Sequence, residues 1–328
     1  MFDVPEIPCI NNEICRPFWS VMIPTCGNSL YLRATISSVL AGIKDKEDDF
    51  QIAIIDNTPP GKKSNVQEQT SGLPNRFEVF THDEFVSMGD NWNRCVMYSR
   101  GKYIHILHDD DMIAPDFYSE MRTLIESSPA KTGLFACMTS SIDQQGNVLQ
   151  TWRLPEFLFS GRAGIIDFAQ ENYLSAPSVV IKRECYEKIG GFYPEFKFAL
   201  DWEMYCRILR FYDIRVLKKP LAFYRWHETN ATFAIQEKGI DIIEALAVID
   251  DLRKDGVKFN WRLARLSRSN YAYLGYKKLK KNGKIQEALR RKEIFFKNTS
   301  LPERIIIYLR FFDFLRYFRI IVSMLPIR

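Results

Sequence analysis

The sequence predicts an α/β protein: a mixed, mostly parallel β-sheet flanked by helices, followed by a basic helical C-terminal extension. Three observations carry this. Short, near-continuously apolar runs alternate with segments of helical periodicity, the pattern of a parallel sheet covered on both faces. The first, second and fourth runs stop at turn or acidic residues: Pro24 and Thr25, Asp56, and the triplet Asp109, Asp110 and Asp111. Charge is unevenly divided. Residues 251–328 hold 20 Lys and Arg against 6 Asp and Glu, a net +14, whereas residues 1–250 carry a net −9 within an overall +5. Such a split assigns different tasks to the two regions.

Taken in order, "FWSVMIPT" (18–25) reads as a buried strand, and "SLYLRATISSVLAGI" (29–43) as a helix with Asn28 or Ser29 at its N-cap. "FQIAIIDNTPPG" (50–61) is a second strand closed by a strong turn, and "RFEVFTHD" (76–83) a third. "NWNRCVMYSRG" (91–101) is a helix stopped by Gly101, and "KYIHILHDDD" (102–111) a fourth strand. "DFYSEMRTLIES" (116–127) is helical, and residues 132–149 form two strands around "QQGN". "APSVVIKRECYEKIGGF" (176–192) gives a strand and a short helix ended by Gly190 and Gly191. "LDWEMYCRILRFY" (200–212) is a helix, residues 214–227 are extended, and the chain is helical from about Gln236. Ligands of open parallel sheets bind beyond the carboxyl ends of the strands, so Asp56 and the triplet should share one crevice.

Three adjacent carboxylates raise one another's pKa unless a cation compensates. Mg2+ or Mn2+, hard ions that take oxygen ligands and are shared with phosphates, would do so. A solvated turn in which an aspartate caps the next helix is the alternative reading of the triplet taken alone.

"FWSVMIPT", "AIIDN", "NWNRCVMYSRGKYIHILHDDD", "GGFYPEFKFALDWEMYCRI" and "FYRWHETNAT" occur in this order across residues 18–232. Together they resemble the family 2 glycosyltransferases, whose fold is the Rossmann-like GT-A fold. The resemblance implies that Pro24 and Thr25 contact the nucleotide, that Asp56 hydrogen-bonds its base, and that Asn93 lies near it; Asn57 stands where a second acid is common. The triplet matches the Asp-x-Asp motif, with His108 where the first Asp of the family pattern usually stands. Asp110 is then the first choice for the metal, Asp109 for ribose or metal, and Asp111 for a second metal contact. Asp201 matches the general base of inverting members, although Leu200 replaces the usual preceding Glu. Glu203 is the reserve candidate, and Asp201 as an N-cap beside an exposed Glu203–Arg207 pair is the competing reading. "YRWH" resembles a segment that closes over the diphosphate, so His227 is expected at the metal or a phosphate and Arg225 nearby. Trp202 and Trp226 are read as packing residues, and Trp152 as an acceptor contact.

The implied division is an N-terminal extension (1–17), a nucleotide-sugar half (18–115), an acceptor half (116–235) and a basic helical region (236–328). The implied activity is metal-dependent, inverting transfer from a nucleotide-diphosphate sugar, UDP first among the carriers, to a glycan or lipid-linked acceptor. A nucleotidyltransferase is disfavoured because "PTCGNSLYLR" offers a single glycine. A non-catalytic scaffold with a degenerate site is kept open by Leu200 and His108. A glycosidase also uses two carboxylates but needs no metal triplet. In residues 301–328 the longest uncharged run is far short of the ~20 residues of a membrane span. Arginines among aromatic and aliphatic residues suit a helix lying in a membrane interface, whereas nucleic acid would not call for so many aliphatics. The start of the sequence lacks the basic, apolar pattern of a signal peptide. Seven cysteines without a CxxC pair read as scattered buried thiols in a reducing compartment. The expected location is therefore cytoplasmic, peripheral to the inner face of the cell membrane.

Overall fold

The computed structural model describes residues 2–10, 15–43, 49–227 and 230–308. The expectation for residues 309–328 lies outside these. The first half alternates as expected: β1 (Trp19–Thr25), α1 (Leu32–Ile43), β2 (Phe50–Asp56), the short α2 (Val66–Thr70), β3 (Glu78–Thr81), α3 (Met88–Tyr98) and β4 (Tyr103–Ile106). Then come β5 (Met112–Ile113), α4 (Phe117–Glu126), β6 (Thr132–Ile142), β7 (Val148–Thr151) and α5 (Ile165–Phe168). β8 (Val179–Lys182), α6 (Arg183–Ile189), α7 (Leu200–Ile208) and β9 (Asp213–Arg225) complete the sheet domain. Five helices follow: α8 (Ala231–Glu237), α9 (Ile240–Lys254), α10 (Trp261–Lys281), α11 (Ile285–Lys297) and α12 (Leu301–Tyr308).

The strands form one sheet in the order β3-β2-β1-β4-β8-β6-β9-β5, with β7 beside β6. β1 to β4 are mutually parallel where they pair, as are β6 and β9, whereas β8, β7 and β5 run antiparallel to their neighbours. Side chains alternate across the sheet, which explains the continuous apolar runs. Met22, Ala53, Ile55, Ile104 and Ile106 face one layer with Trp92 of α3 and Met204 of α7. Val21, Ile23, Ile52 and Ile54 face the other, with Ile36 of α1 and Phe117 of α4. Each fully buried side chain of this kind contributes ~1.5–3 kcal/mol.

The N-terminal residues and α9 both lean on α7 and the segment that leads into it. Phe2 stacks on Tyr193 at 4.6 Å and lies 4.9 Å from Phe196, and the carbonyl of Pro5 accepts from the Gly191 N–H at 2.8 Å. α9 buries Ala245, Val248, Ile249 and Leu252 in the same core as α7. Among the described residues no helix is long and apolar enough to cross a membrane. Of the seven cysteines, Cys95, Cys137, Cys185 and Cys206 are buried as expected, but Cys9, Cys15 and Cys26 are exposed.

Candidate active site

Because β1, β2 and β4 are parallel, their carboxyl ends meet at one edge. Thr25 and Asp56 are register partners, and the Leu107 N–H, just before the triplet, bonds the Met22 carbonyl at 3.0 Å. Thr25, Asp56 and the triplet therefore share the predicted crevice. Asp56 is buried and accepts from the Thr58 N–H (3.0 Å) and hydroxyl (2.6 Å). Gly27, at φ 72°, closes over this turn, where a Cβ would fall 1.7 Å from Thr58 Oγ1. The Asn57 amide both donates to and accepts from the main chain of Val86, at 3.0 Å each way. Asn93 is a brace of the same kind: it donates to the Phe192 carbonyl (3.0 Å) and accepts from its N–H (2.7 Å).

The triplet is held by its carbonyls, which leaves its carboxylates to face inward. The Ser29 hydroxyl donates to the Asp109 carbonyl (2.9 Å), Arg225 Nε to that of Asp110 (2.8 Å) and the Thr35 hydroxyl to that of Asp111 (2.8 Å). The Arg225 N–H also donates to Asp111 Oδ1 at 2.9 Å. The Arg225 guanidinium is buried, donates to the Asp143 and Gln144 carbonyls, and lies 4.6 Å over the Tyr31 ring. It is thus a strap beneath the triplet, which brings its positive charge close to the three acids. His227 Nε2 sits 2.9 Å from Asp110 Oδ2.

Burial, then the charge of Asp110, pushes the Asp109 and Asp111 carboxyls well above the usual range. Burial lowers the His108 pKa, but Asp111 and the other two acids raise it more, and the net shift is upward. His108 Nδ1 lies 3.5 Å from Asp111 Oδ2. Asp111 Oδ2 and His108 Nε2 are both buried without a hydrogen-bond partner among the described residues, a costly condition that a ligand would relieve. One ligand atom each from His108, Asp110 and Asp111 lie within 4.8 Å of one another. Two carboxylates and an imidazole at that spacing fit a divalent cation. The histidine at position 108 thus brings a nitrogen donor into the cluster, and His227 stands beside Asp110, where it was expected.

Asp201 occupies the first turn of α7. Burial pushes its carboxyl up to about 6, partly offset by the Trp202 N–H (2.6 Å), the Asn172 amide (3.3 Å) and the nearby His108. With Trp92, Tyr205 and Phe192 it lines a small cavity, and the Trp92 ring stands 5.0 Å from that of His108. Trp92 thus touches both neighbourhoods, lining the cavity with Asp201 and lying beside His108. Glu203 is not a reserve base. It is buried and ion-paired to Arg207 at 2.5 Å, and Arg207 donates to the Ile189 and Gly191 carbonyls. The expected exposed pair is an internal brace because α7 is covered on almost every side. Trp202 is packed, with its indole N–H on the Phe168 carbonyl at 2.6 Å. Trp226 is 45% exposed and sits against Tyr224 and Phe233, and Trp152 lies 5.6 Å from Tyr224.

Sequence reasoning missed Asn172, Ser29, Thr35 and Trp92. Polar residues of common type in loops and helix starts give no local sign that they reach Asp201 or the triplet, and Trp92 reads as core.

Residues 20–190, just over half of the chain, match the family model described as Glycosyl transferase family 2. Asp201 lies beyond that match and rests on geometry. Over 179 residues the chain is 25% identical to an uncharacterized glycosyltransferase of Methanocaldococcus jannaschii, a match that takes in 54% of this chain and 60% of that relative. The chain is also similar to the Pyrobaculum calidifontis mannosyltransferase PcManGT, solved in complex with GDP-Man and Mn2+. That match has a TM-score of 0.56 at 14% identity and covers 94% of this chain and 82% of that one. For S. aureus TarS 1–349 in complex with UDP-GlcNAc, the TM-score is 0.54 at 14% identity, with 86% and 93% covered. The likeness in architecture is that of the GT-A fold. With the family model matched through the strands that carry the acid triplet, the chain belongs to glycosyl transferase family 2.

Proposed function

We propose that this chain transfers a sugar, with inversion, from a nucleotide-diphosphate sugar to a hydroxyl of a glycan or lipid-linked acceptor. The observation that supports the reading is a second buried carboxylate close to the triplet: Asp201 lines a small cavity with Trp92, and the Trp92 ring stands 5.0 Å from that of His108, the residue just before the triplet. His108, Asp110 and Asp111 would hold Mg2+ or Mn2+, and the imidazole nitrogen favours Mn2+. When bound, the cation neutralises charge developing on the departing diphosphate. Asp109 and Asp56, with Pro24 and Thr25, line the nucleotide side, UDP being the first candidate, and residues 18–115 form the donor half. Asp201 takes the proton from the acceptor hydroxyl as its oxygen attacks the anomeric carbon. A base of this kind contributes about 10²–10⁴-fold, and it must be separate from the cation-bound acids, since a ligated carboxylate is a weak base. Residues 116–235 supply the acceptor half.

A membrane-surface contact on the inner face of the cell membrane fits the C-terminal helices. Ile285, Leu289 and Phe296 are exposed on one face of α11, and Lys292 lies over the Phe296 ring at 5.8 Å. Such stripes insert shallowly into anionic interfaces.

The test is a panel of UDP-glucose, UDP-galactose, UDP-GlcNAc and GDP-mannose, assayed with Mn2+ for donor hydrolysis and thermal stabilisation. At least one should be turned over slowly and raise the melting temperature. No binding across the panel, with or without Mn2+, would overturn the reading.

A further inference from the structure

α7, which carries Asp201, begins without a cap of its own. Ala199 stands at the N-cap and offers no side-chain acceptor, so the amides ahead of the helix need partners from elsewhere. They find them in α9, more than forty residues on. Glu244, buried on that helix, accepts from the Lys197 N–H with Oε1 at 2.9 Å. Its Oε2 accepts from the N–H groups of Phe198 (2.7 Å), Ala199 (2.9 Å) and Lys197 (3.1 Å). One carboxylate thus gathers three consecutive backbone amides and fixes the chain two residues before Asp201. The charge is well placed, because a helix N-terminus attracts anions.

Hydrophobic packing alone would not require this. α9 is already seated by Ala245, Val248, Ile249 and Leu252. An apolar residue at position 244 would keep that seat and release the three amides.

We propose that Glu244 is a positioning residue for transfer: through the main chain of residues 197–199 it sets where the Asp201 carboxylate stands. The catalytic loop is then completed by a helix outside the stretch matched by the family. This inference rests on Asp201 being the base. It predicts a specific kinetic pattern. A displaced base slows the chemical step and leaves donor affinity alone, because the donor side of the crevice is built from β1, β2 and β4.

The experiment compares the full chain with Glu244→Ala, Glu244→Gln and Asp201→Asn. The kcat for hydrolysis is measured on the member of the nucleotide-sugar panel that the wild type turns over, and UDP affinity by calorimetry with Mn2+. Glu244→Ala should lower kcat about 10²-fold, the scale of a 1 Å misplacement. Glu244→Gln keeps one accepting oxygen and should lose about tenfold, and UDP affinity should match wild type in both. Should Glu244→Ala fail to fold, Glu244→Gln carries the comparison. Wild-type kcat in a folded Glu244 variant would overturn the inference, as would parallel losses of kcat, UDP affinity and melting temperature. If Asp201→Asn itself retains full turnover, the base assignment falls instead.

Discussion

At the scale of single residues, Asp201 is the group whose chemistry and stability effects pull apart. Its carboxyl is raised to about 6 chiefly by burial, so a base at this position should give a kcat/KM that falls about tenfold per pH unit below 6. A pH–rate profile flat from 5 to 8 would exclude it. The stability sign is opposite. The folded pKa lies above the unfolded one, so the contribution is fully present at low pH and is lost as pH rises through about 6. Asp201→Asn removes that loss. Transfer should drop by about 10²–10⁴-fold while the melting temperature at pH 7.5 holds or rises, and a melting scan beside the activity assay checks both. The acids were legible in sequence because they punctuate apolar strands. Glu203 was misread because the "LDWEMYCRI" periodicity does not reveal that a second layer of helix covers its polar face. Arg225 was legible as a neighbour of the site but not as a strap, because the carbonyls it serves, those of Asp110, Asp143 and Gln144, come from two other parts of the chain.

Among the elements, the Gly190–Gly191 turn between α6 and α7 shows how a local signal can be right for an incomplete reason. The glycines do stop a helix. Gly191 is also required by space, since a Cβ there would lie 2.3 Å from Asn93 Oδ1 and 3.0 Å from Pro5 Cγ. Gly191→Ala should therefore destabilise by about 1–3 kcal/mol, the usual cost of overpacking, and loosen the Asn93–Phe192 pairing. Chemical denaturation measures it, and a change below about 0.5 kcal/mol, the usual range for neutral sites, would contradict this packing argument. The alternation from β1 to β4 was legible because each strand neighbours the next few in sequence. The insertion of β8 between β4 and β6 was not, since antiparallel pairing over some eighty residues leaves no mark in either strand. β5 is two residues long and exists only because β9 passes beside it.

For the molecule as a whole, the proposed cation site predicts that His108, Asp110 and Asp111, whose burial and like charges oppose folding, are relieved by a bound ion. Mn2+ should raise the melting temperature by several degrees and EDTA should reverse it. A ligand at roughly a hundredfold excess over its Kd adds ~2.7 kcal/mol. An Asp110→Asn variant should lose most of this response, and a full response in that variant would place the ion elsewhere. The helical extension was readable as basic and helical, but not as a structural partner of the loop that leads into α7. The charge count that singled it out begins at residue 251 and so passes over Glu244, an acid earlier on α9.

The contacts of Phe2 and Pro5 with the turn before α7 have a practical side. The opening residues work as a retaining clip on the loop that leads into α7. Replacing Phe2 by alanine would loosen that clip while leaving the carboxyl ends of β1, β2 and β4 untouched. Such a preparation would still look healthy in any assay that reads only nucleotide capture.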